Sequence, residues 1–114
     1  KITFVEKDKN ASEILKKNLI NLGAIKNATI ITDEIENFLK KDLSEKFEII
    51  FLDPPFADES YLQELKSIKK NKNYKKNHLI IIHRERKSFE DFKGILSPIV
   101  TKQYGRSKII FGKF

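Results

Sequence analysis

The chain has 114 residues, enough for one domain with a modest core and too few for two. Its 23 Lys and Arg outweigh 16 Asp and Glu, and the resulting charge of +7 suits a phosphate-bearing partner such as RNA. The absence of cysteine excludes disulfides and thiolate metal sites, and no apolar run is long enough to span a membrane.

Ile2 to Val5 reads as a short strand that turns charged too soon for a signal peptide. Asp8 or Asn10 then caps a helix with Ala11, Ile14, Leu15, Leu19 and Leu22 on one face, and Gly23 ends it. Ala28 to Thr32 is a second strand. Thr32 or Asp33 caps a short helix ending near Lys41, with Phe38 and Leu39 facing inwards. Phe47 to Leu52 has the length and β-branched content of a buried parallel strand.

That third strand runs into Asp53-Pro54-Pro55-Phe56, the most informative stretch of the chain. Two prolines stop the backbone from continuing as regular strand or helix. A rigid turn at the carboxyl end of a central strand is where open α/β sheets place their chemistry. On spacing alone, a plain strand-to-helix turn with Asp53 as a solvated cap explains the stretch equally well. The chemical alternative needs a planar amine as substrate. The exocyclic nitrogen of a nucleobase is a poor nucleophile because its lone pair is delocalised into the ring. A carboxylate and a backbone carbonyl that each accept one of its hydrogens turn that lone pair towards an electrophile. Asp53 is the candidate for the first acceptor and the Pro54 carbonyl, held by Pro55, for the second. Phe56 offers a flat apolar surface on which an extruded base can stack.

Tyr61, Leu62, Leu65 and Ile68 mark the next helix, opened by Asp58 to Ser60, and Leu79 to His83 is a fourth apolar strand. Lys66, Lys69, Lys70, Lys72, Lys75 and Lys76, with Arg84, Arg86 and Lys87, are expected near the sheet end that carries Asp53, or on its flank. An AT-rich coding bias towards lysine, and lysines at a helix tail opposing the macrodipole, account for part of this run without RNA. His78 and His83 are too scattered for a metal centre, and His83 reads as a partly exposed strand-end residue. Phe89 and Phe92 occupy a short helix or irregular turn. Pro98 to Gln103 and Ser107 to Phe111 form a hairpin around Tyr104-Gly105-Arg106. Alternating strands and helices closing on a hairpin predict an α/β fold, a mostly parallel sheet with an antiparallel C-terminal hairpin.

Asp-Pro-Pro-Phe after an apolar strand resembles the catalytic motif of amino-directed, S-adenosylmethionine-dependent nucleic-acid methyltransferases. Phe4-Val5-Glu6 before a helix, Asn27-Ala28-Thr29-Ile30-Ile31 running into Phe38-Leu39, the motif, and the Tyr104-Gly105 hairpin follow the order found in one family. That family is the small bacterial enzymes that methylate a guanine exocyclic amine in small-subunit ribosomal RNA. The resemblance implies a Rossmann-like class I methyltransferase sheet, S-adenosylmethionine as cofactor, ribosomal RNA or the small ribosomal subunit as partner, and a cytoplasmic enzyme. It implies catalytic roles for Asp53, Pro54, Pro55 and Phe56, and cofactor contacts from Glu6, Glu34, Ile35 and Asp53.

Glu6 ends its strand where a carboxylate accepts from both ribose hydroxyls, a position that serves a nicotinamide dinucleotide as well and is otherwise plain surface. Glu34-Ile35 stands where the family has a smaller acidic or amide residue followed by Ala. Asp33 is an alternative for the polar contact, or a simple helix cap. His83-Arg84 replaces an acidic residue common in the family, and Tyr104 and Arg106 are assigned to the turn first and to RNA second. The family's first strand and glycine-rich turn are not found in the sequence. Residues 1–114 are therefore expected to be the C-terminal portion of a single methyltransferase domain, inactive alone and prone to associate to repair the missing central strand. Competing readings are an adenine-N6 methyltransferase, a non-catalytic RNA-binding α/β module and, last, a dinucleotide oxidoreductase.

Overall fold

β-Branched and aromatic residues in Ile2–Glu6 and Ala28–Thr32 form two strands, β1 and β2, paired in parallel from Ile2 opposite Ala28 to Glu6 opposite Thr32. They belong to the first of two units, Lys1–Asp42 and Leu43–Phe114, in a computed structural model that describes residues 1–41 and 45–114. Between them runs helix α1, Lys9–Asn21, followed by a 3₁₀ turn at Ile25–Asn27. Of the two candidate caps, Asp8 is the one used: its carboxylate accepts the Asn10 N–H at 3.0 Å. Gly23 leaves the helix at φ +70°.

The expected apolar face of α1 is only partly buried. Leu19 packs inwards, whereas Ile14 and Leu22 are 60% and 79% exposed. The inward line passes through Ser12, Leu15 and Leu19. Ile14 lies about 100° of helical rotation from Leu15, and Leu22 is already the C-cap. Helix α2, Ile35–Lys40, buries Phe38 and Leu39 as expected, but its N-cap is Glu34 rather than Thr32 or Asp33.

The second unit contains β3 (Phe47–Leu52), α3 (Tyr61–Asn71), β4 (Tyr74–Glu85), β5 (Ser97–Tyr104) and β6 (Ser107–Lys113). Its sheet has the order β3-β4-β6-β5, parallel between β3 and β4 and antiparallel at the other two pairings. The fold is α/β with the expected antiparallel C-terminal hairpin. Gly105 takes the first position of its two-residue turn at φ +57°, where a Cβ is disfavoured. Tyr61, Leu65 and Ile68 recur along one side of α3 and are buried. Tyr61 and Leu65 pack with Leu52, Ile80, Ile82, Phe92, Ile95, Leu96 and Ile110 into one core. That core fixes the sheet end from which the Asp-Pro-Pro-Phe turn emerges. No helix among the described residues is long and apolar enough to cross a membrane.

Two expectations need correction. First, β3 is parallel but not buried throughout: Ile49 and Phe51 are 64% and 59% exposed. The strand has only β4 beside it among the described residues, and the core covers the face of Ile50 and Leu52. Second, β4 begins at Tyr74, five residues before the apolar run, with an irregularity where Phe47 pairs Tyr74 and Ile49 pairs Leu79. Lys75 and Lys76 therefore lie on a strand, with Lys72 just before it, at the end opposite Asp53. Asn73 and Tyr74 pair with Phe47, the first residue of β3, and Asp53 follows its last.

Candidate functional site

Asp53 leaves β3 with its side chain 61% exposed, so its carboxylate is held by few neighbours. One is His83, near the end of β4, whose Nδ1 lies 2.8 Å from Asp53 Oδ1. An ionised carboxylate only accepts, so Nδ1 carries the proton and donates. Leu52 pairs with Ile82 in the parallel ladder, which brings the following residues of both strands side by side. The Phe56 ring meets the His83 ring edge-on, centroids 5.3 Å apart, and stays 41% exposed.

The turn after Asp53 is poor in its own donors because Pro54 and Pro55 have no N–H. The Asp58 N–H closes on the Pro55 carbonyl at 2.9 Å. Arg84 supplies the rest, with Nη2 2.7 Å from the Phe56 carbonyl and Nη1 3.2 and 3.4 Å from those of Pro55 and Asp58. No described group donates to the Pro54 carbonyl. Phe56 and the Pro54 carbonyl thus remain available beside Asp53, and Pro55 contributes by ring constraint and as an acceptor for the brace.

Arg84 is itself only 3% exposed. Its guanidinium carbon stands 4.6 Å over the Tyr61 ring, and its Nε is 3.8 Å from Glu90 Oε2. Glu90 also holds Lys108 at 2.6 Å and accepts from the Ser88 hydroxyl. Lys108 sits directly opposite Arg84 in the β4–β6 ladder, so the carboxylate offsets two cations that face each other. Burial pushes the Tyr61 phenol above its ordinary pKa of 10.0, against the opposing pull of the Arg84 charge.

In the first unit, Glu6 ends β1 with Oε1 accepting the Asp8 N–H at 3.1 Å, and its backbone carbonyl accepts the Asp33 N–H at 3.0 Å. Glu34 and Ile35 open α2 just past β2, at the same carboxyl end of the two-stranded sheet as Glu6. Glu34 projects an exposed carboxylate that makes no cap bond. Asp33 is committed locally: its Oδ1 accepts from the Glu34 N–H at 2.8 Å and from Asn37 at 3.0 Å. The Asn37 bond, then the Glu34 N–H, hold its carboxyl below the ordinary value of 3.8. It therefore braces the turn into α2, one residue before the Glu34 N-cap. No group of three or more His, Asp or Glu residues among those described is placed to hold a metal ion.

Sequence reasoning did not find two features. His83 partners Asp53 instead of standing as a bare strand-end residue. Arg84, grouped in sequence with basic surface residues, is buried behind the turn. Strict alternation along β4, with Ile80, Ile82 and Arg84 on the core side, was the available signal.

The chain matches the family described as conserved hypothetical protein 95 over residues 1–113. It is 35% identical over 88 residues to ribosomal RNA small subunit methyltransferase D of Haemophilus influenzae, covering 75% of this chain and 46% of that protein. The protein of the same name from Buchnera aphidicola subsp. Baizongia pistaciae is 40% identical over 83 residues, covering 73% and 41%. The chain thus spans less than half the length of these relatives. Among solved structures, a candidate methylase from Haemophilus influenzae superposes with a TM-score of 0.81 at 29% identity, covering 99% of this chain and 71% of that one. A conserved hypothetical protein from Streptococcus pyogenes gives 0.85 at 25% identity, covering 97% and 69%.

Proposed function

The chain belongs to the conserved hypothetical protein 95 family, and from that premise we propose that it is part of a cytoplasmic enzyme that methylates the exocyclic amine of a guanine in small-subunit ribosomal RNA. The observation that carries this reading is the pair of acceptors at the end of β3 that keep spare lone pairs among the described residues. Asp53 has one oxygen held by His83 and a second without a described partner, next to a Pro54 carbonyl that receives no bond. Two acceptors suit the two hydrogens of an amine.

The donor set fits S-adenosylmethionine. Glu6 keeps Oε2 for ribose hydroxyls while Oε1 pins the turn, and Glu34 and Ile35 offer a polar and an apolar contact for the adenine. When bound, the cofactor supplies an electrophilic methyl group. The remaining work falls to this chain. Asp53 and the Pro54 carbonyl each take one amine hydrogen and aim the nitrogen lone pair, and Phe56 stacks on the base. Once the amine has been methylated, Asp53 accepts the proton it releases. His83, by donating to Oδ1, keeps Oδ2 as the oxygen that faces the substrate. Arg86, Lys87 and Arg106 lie exposed beyond the β4–β6 ladder and are available to phosphates.

Asp53→Ala in the full-length protein tests the reading. Methyl transfer to small-subunit RNA should fall by on the order of 10²–10⁴-fold, with cofactor affinity nearly unchanged by calorimetry. Retained turnover would remove the carboxylate from the mechanism. Mass spectrometry of ribosomal RNA nucleosides from a deletion strain should show loss of one N2-methylguanosine. Loss of N6-methyladenosine would transfer the same chemistry to adenine, and no loss would favour a binding module.

A further inference from the structure

We propose that Arg84 is a positioning residue that decides which carbonyl of the Asp53–Asp58 turn meets the substrate amine. The inference rests on the reading of Asp53 and Pro54 as an amine-holding pair. A turn with two successive prolines is short of donors for its own carbonyls, because two N–H groups are missing, and the Asp58 N–H reaches just one carbonyl, that of Pro55. The guanidinium has a planar fork of donors, and it engages the carbonyls of Pro55, Phe56 and Asp58 at 3.2, 2.7 and 3.4 Å. These are acceptors that otherwise compete with the Pro54 carbonyl for an incoming N–H. With them occupied, Pro54 supplies the free acceptor next in sequence to Asp53.

The brace is built to stay in place. Arg84 is fixed from below by the Tyr61 ring and from the side by Glu90, whose side chain is 5% exposed. Arg84 Nε makes no hydrogen bond, so Glu90 acts on it as a charge at 3.8 Å and leaves the fork to the turn. Lys108 takes the close contact with Glu90 and donates to the Ser88 carbonyl at 2.6 Å. Charge balance and carbonyl bracing are thus separable tasks. A lysine at position 84 keeps the positive charge beside Glu90, but it cannot span three carbonyls with a planar fork.

That separation defines the experiment. Full-length protein carrying Arg84→Lys is compared with the parent in methyl transfer to small-subunit RNA, using Arg84→Met as a second variant with no charge. Residues 1–114 contain no tryptophan, so Phe56→Trp, in a full-length background with any tryptophan elsewhere replaced by Phe, gives a local fluorescence reporter of the turn, introduced into the parent and both variants for a separate anisotropy measurement. Arg84→Lys should remain folded, with a thermal midpoint lowered by the lost carbonyl hydrogen bonds, while kcat falls by on the order of 10²-fold, with KM for RNA little changed. The anisotropy of the indole reporter should fall in both variants as the turn loosens. An unchanged kcat in Arg84→Lys, or unchanged anisotropy in a folded variant, would overturn the proposal. If Arg84→Met does not fold, Arg84→Lys decides alone. A parent protein that methylates nothing would sink the functional reading instead, and the anisotropy change would still report whether Arg84 orders the turn.

Discussion

The two ends of the paired strands β3 and β4 use similar residues for opposite purposes. At the amino end His78 is saturated: Nδ1 meets the Lys75 carbonyl at 2.8 Å, and Nε2 accepts the Phe114 N–H at 2.9 Å. Its ring packs with Tyr74 and Phe114, centroids 4.4 and 5.5 Å away. Glu48 is likewise paired, 2.9 Å from Lys75. At the carboxyl end His83 uses Nδ1 on Asp53, and Nε2 has no described partner. There Asp53 and the Pro54 carbonyl keep free lone pairs. An end whose polar groups satisfy one another holds the chain together, whereas an end with acceptors left over is equipped to hold something else.

Exchanging the histidines breaks or sharpens that contrast most directly. His83→Gln should lower methyl transfer by roughly tenfold, the worth of one hydrogen bond to a charged group, with little change in urea midpoint. His78→Phe should do the reverse, leaving turnover intact and costing about 1–2 kcal/mol of stability through two lost hydrogen bonds. Equal effects on turnover from both substitutions would erase the distinction. A smaller effect is expected at high pH. The Tyr61 phenol is held above 10.0 by burial, so the folded state retains its proton more tightly than the unfolded chain. That contribution is complete below pH 10 and lost as pH rises through the raised folded value. Tyr61→Phe keeps the ring under Arg84 and should flatten the alkaline arm of a stability–pH curve, and a curve of unchanged shape would place the loss elsewhere.

The smallest effect belongs to Glu48. Its hydrogen bond to Lys75, and then the lysine charge, hold its carboxyl below the ordinary 4.5. The stabilisation is present above that value and lost as pH falls through the lowered folded one. Because both side chains are largely exposed, solvent screens most of it. Glu48→Gln should therefore change only the acid limb of the same curve, and only slightly. A large change at neutral pH would mean that the amino end is held by charge instead of by its ring cluster.

Local signals are reliable where one element decides the outcome by itself. The strand Phe47–Leu52, the stop at Asp53-Pro54-Pro55, the inward side of α3 and the Gly105 turn all follow from periodicity and backbone chemistry within a few residues. The start of β4 was not visible in this way, because Lys75-Lys76-Asn77 is polar and its place on a strand depends on Phe47 pairing with Tyr74. Within the expected basic cluster, Lys72, Lys75 and Lys76 fall away from the motif for the same reason, whereas Arg84, Arg86 and Lys87 do lie at the Asp53 end. Those three lysines are close to Asp53 in sequence, but α3 carries the chain back along the sheet before β4 begins.

Amino-acid order alone therefore determined the α/β class and the rigid acidic turn, since apolar period and proline geometry act over short distances, and it nominated Asp53 and Pro54 as an amine-holding pair. Only the tertiary structure decided which partners that turn would have. Asp53 meets His83 across 30 positions and Phe56 meets Arg84 across 28, contacts set by strand register and the common core. The physical reason lies in burial: a basic residue in a polar run looks like surface until the ladder turns it inwards, and then its donors must find acceptors. Arg84 finds them in the very loop that the prolines had stripped of donors.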